Sequence, residues 1–227
     1  SPFMMTKILE TSSYSNNSKP RKLMILLHGY GDTASNLIPL AQVLDQENWG
    51  MYYAALNAPD SIPGYPMGFQ WFDLNISGVH ISNAGPKEYE VIRKVIDTNI
   101  NKIVTSISEI LKKLNLEMKD CFVMGFSQGG TMTFELGRSL KNTLAGVGII
   151  SSRIITKDYT NELFEKTPVF ISHGGQDSVI PLNNYERSLE ILKESKFNFE
   201  HHVIENDQHT MSEETITLFQ NFVKKNI

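Results

Sequence analysis

Cys121-Phe122-Val123-Met124-Gly125-Phe126-Ser127-Gln128-Gly129-Gly130 passes from an apolar strand pattern directly into a helical one, with a serine at the junction. The run Cys121 to Gly125 is too brief for a helix and reads as a buried strand, while apolar spacing from about Gln128 to Lys141 reads as a helix. Between them lies G-x-S-x-G, in the strand–turn–helix context that gives this motif its meaning. A serine on so tight a turn projects its hydroxyl clear of the backbone, and flanking glycines remove Cβ atoms that would collide there. The helix that follows aims free N–H groups, notably that of Gln128, at the place where a carbonyl oxygen would gather negative charge. An ordinary Gly/Ser-rich turn is the bland alternative, and the flanking elements argue against it.

The pattern repeats outward from this point. Lys22 to His28 reads as a buried strand ending at Gly29, about Asn36 to Asn48 as a helix, and Tyr52 to Ala58 as a second strand stopped by Pro59. Asp60 to Gly85 has several Gly and Pro residues, the aromatics Tyr65, Phe69, Trp71 and Phe72 and no sustained period, so it reads as a long loop near the active site. Pro86 then suits a first helical turn, and an Ile/Val stripe continues to about Leu116. Strands are expected at Val147 to Ser151, Val169 to His173 and Phe199 to Ile204, with helices at about Leu182 to Ser195 and Ser212 to Lys225. This alternation predicts an α/β fold, a mostly parallel central sheet with helices on both faces, in which residues 1–227 form a single domain.

Composition narrows the function classes. Of 227 residues 41% are hydrophobic and 20% charged, a globular profile. A formal charge of -4 and the lack of a dense Lys/Arg block speak against nucleic acid as a partner. Cys121 is the only cysteine, so no internal disulfide can form and cytoplasmic residence is the expectation. The longest apolar run near the start, Leu23 to Leu27, falls far short of the roughly 20 residues of a spanning helix, so no integral membrane association is expected. Ser1-Pro2-Phe3 ahead of Met4-Met5 looks like a cloning remnant.

A serine needs a base, and the base needs a third group to fix its tautomer. With this kind of elbow the order along the chain is Ser, acid, His. Asp177 lies in Gly174-Gly175-Gln176-Asp177-Ser178, just past the strand ending near His173, and His209 lies in the turn after the last strand. All three candidates therefore fall beyond strand carboxyl ends. Asp207 competes for the acid, but its place two residues from His209 makes an awkward reach. His173, His201 and His202 compete for the base; the first reads as a brace for the Asp177 turn, and the others lie within a strand. Leu27-His28-Gly29-Tyr30-Gly31-Asp32 offers a second backbone donor for the oxyanion hole, at Tyr30, beside Gln128. His28 reads as an anchor of that loop, His80 as surface and Cys121 as a packing thiol. The aromatics Tyr65, Phe69, Trp71 and Phe72 divide evenly between satellite core and, in part and with Trp71 the first candidate, a wall of the acyl pocket. Nothing resembles a zinc cluster or a phosphate-cradling loop.

Taken together, Leu27-His28-Gly29-Tyr30-Gly31-Asp32, Ala58-Pro59, Gln70-Trp71-Phe72-Asp73, Gly125 to Gly130, His173 to Pro181 and His209 resemble the phospholipase/carboxylesterase family of α/β-hydrolases, which includes the acyl-protein thioesterases. Pro63 to Phe72 looks most like bacterial members. The resemblance implies the α/β-hydrolase fold, a triad of Ser127, Asp177 and His209, oxyanion donors at Tyr30 and Gln128, no cofactor and no metal. It implies a small-molecule ester, lysophospholipid or acyl-thioester substrate, and it admits a homodimer. Tyr30 stands where leucine is common, Gln208 where glycine usually precedes the histidine, and Ser151-Ser152 where Ser-Gly is usual. The alternatives are an esterase restricted to small soluble esters and a catalytically silent binding protein with this fold.

Overall fold

The computed structural model describes residues 8–157 and 161–227. Ser1-Pro2-Phe3, read above as a cloning remnant, lie outside the described residues. In chain order the elements are β1 (Thr11–Ser15), β2 (Lys22–Leu27), α1 (Ala34–Leu37), α2 (Pro39–Leu44), β3 (Met51–Leu56), β4 (Asp60–Ile62), β5 (Tyr65–Gln70), β6 (Asn75–Ile76), β7 (Val79–His80) and α3 (Pro86–Leu114). They continue with β8 (Cys121–Phe126), α4 (Gln128–Ser139), β9 (Gly146–Ile150), α5 (Glu162–Glu165), β10 (Val169–Gly174), α6 (Leu182–Glu194), β11 (Phe199–Ile204) and α7 (Glu213–Asn226).

Seven strands form one sheet in the order β1-β3-β2-β8-β9-β10-β11. Every pairing in it is parallel except β1 against β3. The chain runs outward from β2 to β3, then returns to build β8 to β11 on the other side. The reversal therefore lies at β2 and β8, whose carboxyl ends carry the His28–Gly29–Tyr30 loop and Ser127, and open α/β sheets bind ligands at such a crevice.

Because successive strand residues point to opposite faces, β2 feeds two core layers. Leu23, Ile25 and Leu27 pack in one with Ile96, Ile100, Ile103 and Ile107 of α3. Met24 and Leu26 pack in the other with Phe219, Phe222 and Val223 of α7. Both faces of β2 are thus dry, which is why its sequence is a continuous apolar run.

Two readings are corrected by the structure, and one strand is added to them. The helix expected over about Asn36 to Asn48 is broken into α1, α2 and a 3-10 turn at Glu47–Trp49. Pro39 has no N–H to give and starts a new helix instead of continuing the old one; Thr33 caps α1 by accepting from the Asn36 N–H. The stretch from Asp60 to Gly85 is not a featureless loop: β4 pairs with β5, β6 pairs with β7, and Ile81–Asn83 is a 3-10 turn. Two hairpins this short carry too few residues for an alternating pattern to stand out. Strand β1 was not expected because Thr-Ser-Ser-Tyr-Ser at a sheet edge needs no apolar face. Among the described residues no helix is long and apolar enough to cross a membrane.

The long helix α3 offers a direct check of this layering. Ile103 is fully buried whereas Val95 is 42% exposed. Ile103→Ala should cost about 2–5 kcal/mol in urea unfolding, and Val95→Ala should stay within about 0.5 kcal/mol.

Candidate active site

The elbow is built by close approach. Gly125 of β8 lies against the backbone of Gly129, and Gly129 against the Leu27 carbonyl, so tightly that a Cβ on either would overlap main-chain atoms. Ser127 between them takes φ 55 and ψ -120, a left-handed φ that costs a non-glycine residue on the order of 1–3 kcal/mol. Its N–H donates to the Ile150 carbonyl at 2.9 Å, and the Ser152 hydroxyl donates to its carbonyl at 2.5 Å. The carboxyl end of β9 therefore holds the turn in place.

The other two residues come from neighbouring strand ends. Asp177 follows β10, and its side chain is buried; Oδ1 accepts from the Val179 N–H at 2.9 Å and the Ile180 N–H at 2.8 Å. Oδ2 accepts from His209 Nδ1 at 2.7 Å. His209 follows β11, and its Nε2 lies 3.0 Å from Ser127 Oγ, while its ring packs on Phe126 at a centroid distance of 5.0 Å. With Nδ1 protonated toward the carboxylate, Nε2 is left as an acceptor for the serine hydroxyl. The Gln176 N–H donates to the Asp207 carbonyl at 2.8 Å and locks the acid loop to the histidine loop. Asp207 thus contributes its backbone. Gln208 is not among the described residues with positive φ, so the position does not demand a glycine.

His80, His201 and His202 lie apart from this relay. His201 is exposed on β11, and His202 pairs with Glu200 at 2.7 Å. His80 is exposed, yet with Ile81 it lines the cavity above Ser127, a role that its surface reading did not include.

Tyr30 and Gln128 both border the serine. Gln128 opens α4, and the N–H of a first helical residue has no acceptor within its own helix. Its side chain does structural work: Oε1 accepts from the Trp71 N–H at 2.8 Å and Nε2 donates to the Phe72 carbonyl at 2.7 Å. Trp71 Nε1 donates to the His28 carbonyl at 2.9 Å, so this aromatic segment ties the β2 loop to the helix α4. Trp71 as a wall of the acyl pocket is therefore corrected. The indole is fully buried beneath the site and does not line the cavity; the adjoining Phe72 and Leu74 do.

The cavity holds about 320 Å³ and is walled by Phe72, Leu74, Ile81, Phe126, Val179 and Ile180, with Ser127 and His209 opening into it. Arg153 also lines it, a residue the sequence reading did not single out. The signal was its place directly after a buried strand, at the edge of the sheet where the other site residues emerge. Among the described residues no group of three or more His, Cys, Asp or Glu side chains is gathered to hold a metal ion.

A mostly parallel sheet of this order, wrapped by helices and carrying a serine on the turn after its central strand, is the architecture of the α/β-hydrolases, and the chain is a serine hydrolase of that class. It belongs to the phospholipase/carboxylesterase family, whose model matches residues 11–227. The yeast Saccharomyces cerevisiae protein acyl-protein thioesterase 1 is 26% identical over 225 residues, covering 91% of this chain and 93% of the relative. A probable carboxylesterase SOBER1-like of Arabidopsis thaliana is 25% identical, covering 96% and 84%. The crystal structure of esterase PE8 superposes with a TM-score of 0.84 at 23% identity, over 97% of this chain and 100% of that one.

Two buried histidines brace the site without entering it. His28 is completely enclosed; its Nδ1 donates to the Gly29 carbonyl at 2.7 Å and its Nε2 accepts from the Ala58 N–H at 2.9 Å. His173 Nε2 donates to the Ile180 carbonyl at 2.7 Å, closing the Asp177 turn. Burial lowers the pKa of both, against weaker opposing contributions from their hydrogen bonds and nearby carboxylates. Above about pH 6.5 both are neutral in the folded and the unfolded chain. As pH falls below that value the unfolded chain takes up protons that the folded one resists, so stability declines until the lower folded-state pKa values are passed. Urea unfolding should show this decline below about pH 6.5, and His28→Ala should both lower stability by about 1–3 kcal/mol at neutral pH and flatten the slope. An unchanged slope in the variant would remove His28 as its source.

Proposed function

We propose that this chain hydrolyses carboxylic esters by acyl transfer through Ser127, His209 and Asp177, with 1–227 acting as one catalytic unit. The observation that carries the reading is the unbroken relay from Asp177 Oδ2 to His209 Nδ1 at 2.7 Å and from His209 Nε2 to Ser127 Oγ at 3.0 Å. Ser127 Oγ attacks the ester carbonyl as His209 Nε2 takes its proton. The carbonyl oxygen becomes an anion, stabilised by the backbone N–H groups of Tyr30 and Gln128. The imidazolium, held by the buried Asp177, then gives its proton to the leaving alcohol or thiol, leaving an acyl-serine. Water then attacks the acyl-serine carbonyl as His209 Nε2 takes its proton; the bond to Ser127 Oγ breaks, that oxygen takes the proton back from His209, and the acid leaves.

The size and lining of the cavity support a short-chain acyl group. About 320 Å³ lies at the lower end of ligand pockets, and its apolar walls suit an alkyl chain of a few carbons. The exposed Tyr30 borders the same space. Lysophospholipid and acyl-protein substrates would need that space to extend.

Ser127→Ala should lower kcat/KM on p-nitrophenyl butyrate by about 10³-fold or more with an unaltered circular dichroism spectrum. A fluorophosphonate probe should add once, at Ser127, as read by peptide mass spectrometry; a label elsewhere, or wild-type turnover in the alanine variant, discards the assignment. Across p-nitrophenyl esters from acetate to laurate, kcat/KM should peak at butyrate or hexanoate. A peak at laurate would overturn the short-chain reading while leaving the relay intact.

A further inference from the structure

Arg153 is a buried arginine whose side chain has no hydrogen-bond or ion-pair partner among the described residues. It follows β9, is only 8% exposed, and lines both the cavity at Ser127 and a second cavity of about 600 Å³. Buried guanidinium groups are ordinarily paired, because taking the charge out of water is costly. Among the described residues no carboxylate or other acceptor forms an ion pair or hydrogen bond with the Arg153 side chain. Asp177 spends its oxygens on His209, Val179 and Ile180. Glu135, the buried carboxylate of α4, is held by Arg93, Arg138 and Thr156.

The second cavity is positively charged beyond Arg153. Arg187 of α6 and Lys157 line it without an ion pair among the described residues, and its carboxylate Glu90 is outnumbered. Gly85 and Pro86 bring the amino end of the 29-residue α3 to the same wall, with no side chain capping it. A helix start adds partial positive charge and free N–H groups. Burial is the main cause that holds the Arg153 pKa below the usual guanidinium value; Arg187 adds to it, and Tyr89 and Asp177 oppose it. A guanidinium remains charged under these conditions, so the described lining has positive charge in excess and concave space to receive an anion.

We infer that Arg153 and Arg187 form an oxyanion-group subsite adjoining Ser127, which takes a carboxylate or phosphate carried by the ester substrate a few bonds from its scissile carbonyl. The inference rests on Ser127 being the nucleophile. Since Arg153 borders both cavities, a single ligand can place its ester at the serine and its anionic end between the two arginines. A charge-assisted contact to a planar guanidinium discriminates by about 10- to 100-fold against a neutral isostere.

The test compares kcat/KM for p-nitrophenyl butyrate with that for the mono-p-nitrophenyl ester of glutarate, and for 1-butanoylglycerol with that for its 3-phosphate. Calorimetric binding of free glutarate and inorganic phosphate is measured alongside. Wild-type protein should favour one anionic ester over its neutral counterpart by at least about 10-fold, the pair with the larger ratio naming carboxylate or phosphate. Arg153→Gln should cut that ratio by about 10-fold or more, mainly through KM, and Arg153→Lys should restore part of it. Arg187→Gln, on an exposed position that the fold does not need, should reduce it by about three-fold and weaken binding of the free anion. No anionic preference together with no anion binding overturns the subsite. So does an equal loss on neutral and anionic esters in Arg153→Gln, which would make the residue a prop for the Asp177 loop. Absence of turnover on every ester would instead defeat the hydrolase reading, and anion binding by wild type but not by Arg153→Gln would still establish the subsite.

Discussion

The main-chain contact between the end of β8 and the start of α4 is the constraint on which the rest of the site depends. Gly125, Gly129 and the Leu27 carbonyl lie at distances that admit no side chain between them. That proximity forces the intervening Ser127 into a left-handed backbone and lifts its hydroxyl out of the sheet. It also brings the start of α4 beside the loop after β2, so that Gln128 of one and Tyr30 of the other line the same small cavity as the serine. The strain at the serine persists because bonds from Ile150 and Ser152 leave the turn no relaxed alternative.

Around this turn, histidines in one fold serve different ends because their surroundings differ. His28 and His173 are enclosed, bonded to backbone carbonyls and kept neutral by burial, and each fixes a loop that supports the site. His209 retains contact with solvent along one edge and has the Asp177 carboxylate against its Nδ1, which aims Nε2 at the serine. Trp71 follows the same logic on a larger scale. Its indole and backbone, with the Gln128 side chain, tie the segment after β5 to both loops that flank the serine.

Charge is distributed unevenly over a chain whose net value is -4. The edge of the site gathers Arg153, Arg187 and Lys157 about one concave region, where Glu90 is the one carboxylate residue among the described lining residues. A low-dielectric wall concentrates such a field, so the local potential need not follow the sign of the whole molecule. The apolar cavity and the cationic one then make different demands on two ends of a ligand, with Arg153 as their common boundary.

Much of this was legible in the sequence. Apolar runs bounded by glycine marked β2, β8 and β10, because strands buried on both faces must be apolar at every position. The elbow and the order of serine, acid and histidine followed from local spacing, since each residue lies in a turn just past such a strand. What the sequence left open depended on contacts between distant segments. Strand β1 is polar and exists by pairing with β3, and the hairpins between Asp60 and His80 are too short to show a period. Trp71 could be core or pocket wall until the fold placed the indole under the His28 loop. That Arg153 has no ion-pair partner among the described residues was equally invisible, because whether a buried charge has a partner is decided by which carboxylates the tertiary structure has already engaged elsewhere. Sequence fixes the chemistry each position can offer; only the packing of the chain decides which offers meet.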